Sequence, residues 1–133
     1  MLIQVDKHSG IPVYRQVMEQ VTRQILSGQL AAGDQLESVA VLSRRIKVNP
    51  MTVSKAYGFL VEEGLVERRP GVGLFVNTVR QDKKKRVQHE MLERAMGRAA
   101  SLAVQLGLDV AEATDFFHEQ YENNKMKQKR MAK

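Results

Sequence analysis

The segment from Leu42 to Val61 carries basic side chains and no acidic one. Its cations are Arg44, Arg45, Lys47 and Lys55. Guanidinium and ammonium groups without a nearby carboxylate can pair with phosphate oxygens, and Lys can also donate to the O6 and N7 atoms of guanine. The competing interpretation is an ordinary solvated helical face. Because the whole chain has a net charge of +6, the pattern favours a surface for a polyanion such as nucleic acid.

Two helix-start signals place these cations on a pair of short helices. Ser38 is a favourable N-cap for a helix from Val39 to Lys47, and Asn49 caps a second helix from Pro50 to Glu63. Only residues 47–49 connect the two helices. Two short helices with so tight a connection are typical of a helix-turn-helix.

The outward face of the second helix supplies candidate base-reading residues. Its buried stripe is predicted to consist of Val53, Ala56, Tyr57 and Leu60, which leaves the other side to Met51, Thr52, Ser54 and Lys55. A helix in the major groove presents its first turns to base edges. There Lys can donate to guanine, and the methyl groups of Met and Thr can contact the methyl group of thymine. The alternative is ordinary exposed surface.

The neighbouring segments complete a winged helix. Apolar residues at four-residue spacing predict a first helix over residues 12–27, and Gln35–Leu36 suits a very short strand. Strand-like runs at residues 65–69 and 74–77 flank a glycine-rich turn, which predicts a β-hairpin. The order helix, helix, helix, hairpin indicates a winged helix-turn-helix domain over residues 1–78.

The hairpin adds candidate contacts of a second kind. Arg68 and Arg69 lead into the wing and suit contact with the DNA backbone or minor groove. Gly71 and Gly73 shape the turn; a phosphate-cradling loop would need a third glycine and a following helix, which are missing. The candidate DNA-binding residues are therefore Ser38, Arg44, Arg45, Asn49, Met51, Thr52, Ser54, Lys55, Arg68, Arg69, Gly71 and Gly73.

Residues 79–133 are predicted to form a helical dimerisation region that ends in a basic tail. The charge run at residues 80–86 marks the boundary, with a linker predicted from Val79 to Arg86. Apolar residues then recur at helical spacing in two helices separated by Gly107 and Asp109. Two helices alone cannot bury such stripes, so the same face of a second copy is the simplest partner. The predicted dimer interface consists of Val87, Met91, Ala95, Leu102, Leu106, Phe116, Phe117 and Tyr121.

Residues 12–76 resemble the DNA-binding domain of the GntR family of bacterial regulators. The blocks that carry the resemblance are Pro12–Gln16, Gly33–Leu36, Val48–Tyr57, Glu63–Val66 and Gly71–Val76. The Asn-Pro-x-Thr-Val motif and the short C-terminal region resemble those of the YtrA subfamily. The resemblance implies a transcriptional repressor that binds a two-half-site operator as a homodimer, and it implies a transporter operon as the target.

Two departures from the family pattern concern DNA contacts. The family usually has Leu-Pro-Ser-x-Arg where this chain has residues 36–40, so the arginine is replaced by Ala40 and the proline by Glu37. Glu37 puts an anion near the expected phosphate, although an acid also stabilises a helix N-terminus. The basic residue that many other subfamilies use is also absent at Pro50 and Met51. We therefore expect an affinity or an operator sequence that differs from the family norm.

Other classes of function lack their residues. The chain has no cysteine and its three histidines are scattered, so we expect no metal site, no cofactor and no enzymatic activity. No apolar run is long enough to span a bilayer and no secretory signal is present, so we expect a cytoplasmic protein. A winged helix that binds RNA or protein is the alternative function.

The regulation of the protein leaves two hypotheses open. The C-terminal region is too short to enclose an effector pocket by itself. A small-molecule effector would then bind between protomers, near Met91, Met96, Phe117 or Tyr121. The other hypothesis is a constitutive repressor that is relieved by other means.

Overall fold

The computed structural model describes residues 1–131, which form five α-helices and one two-stranded antiparallel sheet. The predicted mainly helical fold with a hairpin wing is thereby confirmed. The chain divides into two compact units, Met1–Lys85 and Arg86–Lys133. The elements are α1 (Val13–Ser27), α2 (Val39–Ile46), α3 (Pro50–Glu62), β1 (Val66–Arg69), β2 (Gly73–Val76), α4 (Gln81–Gln105) and α5 (Val110–Met131).

The first unit is built around a core of aliphatic side chains. Val17 and Val21 of α1, Leu42 of α2 and Val53 of α3 are all 0% exposed, and they lie at the spacings that predicted inward faces. Burial of a side chain of this size stabilises the fold by about 1.5–3 kcal/mol. The buried core comprises Ile3, Val17, Val21, Ile25, Leu30, Leu36, Leu42, Val53, Ala56, Tyr57, Leu60, Leu65, Val66, Leu74 and Val76.

The ends of the three helices lie within one residue of the predicted positions. Pro12 is the N-cap of α1 rather than its first residue, and Gly28 ends the helix with φ 86°. α2 ends at Ile46 because Lys47 adopts a left-handed conformation with φ 56°. α3 ends at Glu62, and Glu63 is its C-cap.

The wing is attached to the segment that leads into α2. β1 and β2 pair from Val66↔Val76 to Arg69↔Gly73. Gln35 forms an isolated bridge with Phe75, and the Leu36 N–H donates to the Leu74 carbonyl at 2.9 Å. The very short strand predicted at Gln35–Leu36 is present only as this single bridge at Gln35, and the pairing fixes the wing beside the start of α2.

The N-terminal segment, residues 2–6, lies along α1. Three glutamines of that helix bind it, and we call Gln16, Gln20 and Gln24 the glutamine ladder. The bonds are Gln4 N–H to Gln20 Oε1 (3.0 Å), Gln20 Nε2 to the Gln4 carbonyl (2.6 Å), Asp6 N–H to Gln16 Oε1 (2.9 Å), Gln16 Nε2 to the Asp6 carbonyl (2.7 Å) and Gln24 Nε2 to the Leu2 carbonyl (2.6 Å). Ile3 is thereby held in the core with 4% of its surface exposed. This segment is not predictable from the sequence, because polar residues at four-residue spacing look like an ordinary solvated helix face.

The second unit contains the rest of α4 and all of α5. Gly107 turns the chain with φ 76°, and the Asp109 carboxylate accepts from the Glu112 N–H at 2.8 Å, so the predicted break between two helices is confirmed. In its described residues α5 has no buried side chain. The predicted basic tail covers residues 125–133; α5 contains them as far as Met131, and Ala132 and Lys133 lie outside the described residues.

Most of the predicted interface residues are exposed in the single chain. Five of them are 45–66% exposed, namely Leu102, Leu106, Phe116, Phe117 and Tyr121. Ala95 is also exposed and Met91 is half-buried. Val87 differs, because only 6% of its surface is exposed and it has little left to offer a partner.

The prediction of a linker from Val79 to Arg86 is wrong for residues 81–86, because α4 begins at Gln81. Asp82 lies in the first turn, where an acid is stabilised by the helix dipole. Lys and Arg are good helix formers, and Arg86 pairs with Glu90 one turn later at 3.2 Å. A run of charges without an apolar stripe therefore need not be a loop.

Candidate nucleic-acid interface

The outward face of α3 is the one that the sequence predicted. Met51 is 78% exposed; Ser54 and Lys55 are also exposed, and Thr52 is half-buried at the edge. The opposite stripe is buried, with Tyr57 2% exposed. The candidate base readers thus lie on a rigid helix whose other side is fixed in the core.

Two predicted contact residues cap the helices that carry the site. The Ser38 hydroxyl oxygen accepts from the Val41 N–H at 3.1 Å, and the Asn49 side-chain oxygen accepts from the Met51 N–H at 2.8 Å. The Ser38 O–H and the Asn49 NH₂ group keep their donor hydrogens for a phosphate at these helix N-termini. Each residue can therefore serve both as a cap and as a phosphate contact.

A groove of about 350 Å³ separates the wing from α2 and α3. The structure brings half of the predicted DNA-binding residues together along it: Ser38, Ser54, Arg68, Arg69, Gly71 and Gly73. The others do not line this groove: Arg44, Arg45, Asn49, Met51, Thr52 and Lys55. The candidate interface is therefore a composite of the groove and the exposed start of α3.

The arginines of the candidate interface differ in their surroundings. Arg45 pairs with the Glu37 carboxylate at 3.2 Å and donates to the Met1 carbonyl at 2.8 Å. Arg69 pairs with Glu67 at 3.0 Å, and its guanidinium lies 4.0 Å from the centre of the Phe75 ring. A phosphate must compete with these carboxylates. Within the described residues Arg44 forms no ion pair, so we rank it above Arg45 as a phosphate contact.

Tyr57 links α3 to the residue that departs from the family pattern. Its hydroxyl donates to the Glu37 backbone carbonyl at 2.9 Å. Burial, with a smaller contribution from the Glu37 charge, raises the pKa of the Tyr57 phenol far above its usual value, so the hydroxyl stays protonated and keeps donating. The sequence placed Tyr57 in the core, but no local signal identified this hydrogen bond.

Lys55 has an aromatic partner that local sequence patterns do not reveal. Its ammonium nitrogen lies 4.1 Å from the centre of the Tyr14 ring. Tyr14 in turn stacks on Phe59, with ring centres 5.6 Å apart and an angle of 27° between the planes. Helical spacing places Tyr14 on the apolar side of the first helix, but it says nothing about contacts between α1 and α3.

The described residues contain no group of three or more histidine, aspartate or glutamate side chains that could hold a metal ion. None of the helices over residues 1–131 is both long and apolar enough to cross a membrane.

Residues 13–76 match the family model described as "Bacterial regulatory proteins, gntR family". Among curated proteins, the HTH-type transcriptional repressor YtrA of Bacillus subtilis is 41% identical over 76 residues, which are 57% of this chain and 58% of the relative. The matches to three such relatives span between 30% and 58% of those proteins' lengths. The relatives carry the names of transcriptional regulators and not of enzymes, in agreement with the expectation of no catalytic activity.

Two solved structures are similar in both sequence and fold. The structure of YtrA from Sulfolobus acidocaldarius, a GntR-family transcription factor, is 32% identical with a TM-score of 0.57, and the match covers 73% of this chain and 99% of that one. The DNA-binding domain of AraR in complex with operator ORX1 is 28% identical with a TM-score of 0.52, over 56% of this chain and 95% of that one. The second structure is of a domain bound to operator DNA.

Proposed function

The chain belongs to the gntR family of bacterial regulatory proteins, and from this premise we propose that it is a sequence-specific repressor of transcription that binds double-stranded DNA as a homodimer. The observation that carries the proposal is the outward face of α3, where Met51, Ser54 and Lys55 are exposed on a helix capped by Asn49. Such a protein would act in the cytoplasm, where the DNA is.

In the proposed complex α3 enters the major groove with its first turns against base edges. The wing lies beside it, and Arg68 is exposed at the groove that separates the wing from α3. Arg44 is exposed near the end of α2 and would pair with the DNA backbone. Lys55 would then read sequence, whereas Arg44 and Arg68 would supply affinity for any sequence.

Substitution of Lys55 and of Arg44 by alanine should have different effects. Lys55→Ala should cost about 1–3 kcal/mol of discrimination between the operator and unrelated DNA. Arg44→Ala should weaken binding to all sequences alike and reduce the salt slope by about one. The operator is first selected from random duplexes with the wild-type protein, and affinities for the operator and unrelated duplexes are then measured by a shift assay.

Arg98→Ala is the matched control for this comparison, because Arg98 is an exposed cation of α4 outside the candidate interface. It should leave both affinities unchanged. If Lys55→Ala and Arg44→Ala both left discrimination and affinity intact, α3 would be wrongly assigned as the recognition helix.

The dimer is proposed from apolar surface that the single chain leaves uncovered. Phe116, Phe117 and Tyr121 lie on α5, and Leu102 and Leu106 at the end of α4 and just beyond it; each is at least 45% exposed. Phe117 and Tyr121 also contact each other, with ring centres 6.2 Å apart. Exposed aromatic and aliphatic side chains at this density are typical of an interface between copies.

A single charge in this surface should prevent dimerisation. Phe117→Asp would bury an unpaired carboxylate at the contact, so the variant should sediment as a monomer at micromolar concentration, where the wild type is a dimer. Val104→Asp is the control, since Val104 is 78% exposed on α4 and lies outside the predicted interface. A wild-type chain that sediments as a stable monomer would contradict the proposal.

RNA or protein binding by the winged helix is the alternative function. A shift assay of duplex DNA against a structured RNA competitor separates the two functions, because an RNA-binding protein would release the DNA.

Genomic footprinting would identify the regulated genes, and a transporter operon among them is our expectation from the YtrA resemblance. A thermal-shift screen of the transported compounds would test for an effector between protomers near Met91, Met96, Phe117 or Tyr121.

A further inference from the structure

We propose that Tyr14 is a positioning residue for Lys55, and that it sets how strongly the protein prefers guanine at one operator position without itself contacting DNA. The proposal rests on the proposed function, in which Lys55 reads a base edge. It adds a residue on α1 to a recognition surface otherwise confined to α2, α3 and the wing.

The geometry of three side chains carries the proposal. The Lys55 ammonium lies over the face of the Tyr14 ring, 4.1 Å from its centre. Phe59 is one turn after Lys55 on α3, and it stacks on the same ring with centres 5.6 Å apart. Tyr14 is half-buried against the core, so its ring is a fixed platform, while Lys55 is exposed. In the described residues Lys55 has no ion pair, so the ring is its principal partner.

A lysine side chain has four rotatable bonds, and fixing it on a base costs conformational entropy that an already oriented side chain does not lose. The ring attracts the ammonium through its negative face and occupies no N–H donor in a directed hydrogen bond. The N–H donors that point away from the ring remain available for acceptors. Guanine presents two such acceptors, O6 and N7, in the major groove. Tyr14 can therefore orient Lys55 and still leave it competent to read guanine.

The experiment compares two substitutions of Tyr14. Tyr14→Phe keeps the ring face and should keep the preference for guanine within error. Tyr14→Leu removes the ring and should lower that preference by about two- to fivefold, with no change in the affinity for unrelated duplexes or in the salt slope. In the Lys55→Ala background, Tyr14→Leu should have no further effect on the preference, because a positioning residue acts only through the side chain that it positions.

A measurement on the free protein gives an independent readout. The ring current of Tyr14 should shift the Lys55 Hε protons upfield in the NMR spectrum of the wild type and of Tyr14→Phe, and the shift should disappear in Tyr14→Leu. Tyr14→Met, whose side chain is longer and more flexible than that of leucine, replaces Tyr14→Leu if the latter does not fold.

The outcomes separate this proposal from the proposed function. A wild type that binds no duplex DNA overturns both. A wild type that prefers its operator, with a Tyr14→Leu variant of equal or greater preference, overturns the role of Tyr14 alone, since the ring would then be idle or would hold Lys55 away from the base. Absence of the upfield shift in the wild type also overturns the role of Tyr14. The same holds if Tyr14→Leu still lowers the preference for guanine in the Lys55→Ala background.

Discussion

Raising the salt concentration from about 50 to about 200 mM is expected to weaken operator binding by about three to four orders of magnitude. The physical reason is counterion release: each phosphate that a cation neutralises frees condensed counterions, which is less favourable at high salt. If each protomer neutralises about three or four phosphates, the log–log slope for a dimer is about −5 to −7. Arg44 and Arg68 are exposed cations of the candidate interface, and each would neutralise a phosphate.

The slope is measured by titrating a labelled operator duplex at several concentrations of potassium chloride. Arg45 and Arg69 are paired with Glu37 and Glu67, so their removal should change the slope less than removal of Arg44. A slope near zero for the wild type would exclude DNA binding through this basic surface.

Truncation of Leu42 is expected to have the second large effect, on stability. Leu42 lies on α2 between its cap and its basic last turn, and it is 0% exposed. Leu42→Ala should lower the free energy of unfolding by about 2–5 kcal/mol, because the lost apolar contacts are combined with a cavity that the neighbouring side chains fill only in part. So large a loss is comparable with the whole stability of many small domains, and operator binding should fall with it.

Urea denaturation followed by circular dichroism measures the change at a fixed protein concentration. Val41→Ala is the matched control, since Val41 is the neighbouring residue of the same helix and is 45% exposed. It should change the free energy of unfolding by no more than about 0.5 kcal/mol. A loss below about 1 kcal/mol for Leu42→Ala would mean that α2 is not packed as described.

The helices and their inward faces could be predicted from the sequence because their signals are local. Ser38 and Asn49 supply caps, Pro50 fits only the first turn, and Gly28 adopts the left-handed conformation that ends α1. Each signal acts within a few residues of chain. The predicted ends of α1, α2 and α3 are therefore correct to within one residue, and the buried stripe of α3 is predicted residue by residue.

Contacts between distant residues could not be predicted in this way. Arg45 belongs to the predicted site and Glu37 directly precedes Ser38 of that site, yet nothing local indicated that Glu37 pairs with Arg45. Lys55 meets Tyr14 only because α1 and α3 pack together. The start of α4 at Gln81 was missed for another reason, since a run of charges fits a solvated helix as well as a linker.

The dimer and the DNA contacts stay predictions, because each requires a second molecule to cover an exposed surface of this chain. Exposure of Phe117 and Lys55 is necessary for such contacts, and both side chains are exposed. What covers each surface is decided by the sedimentation and binding experiments above.

The glutamine ladder has a consequence for mutational tolerance. Gln16 and Gln20 each donate to and accept from the backbone of the N-terminal segment, and a side-chain amide is the group that does both. Glutamate would lose the donor, lysine the acceptor, and asparagine is one methylene shorter. In a scan of all substitutions along α1, these two polar positions should therefore tolerate as few replacements as the buried valines, whereas Arg23, on the same helix and exposed, should accept most residues.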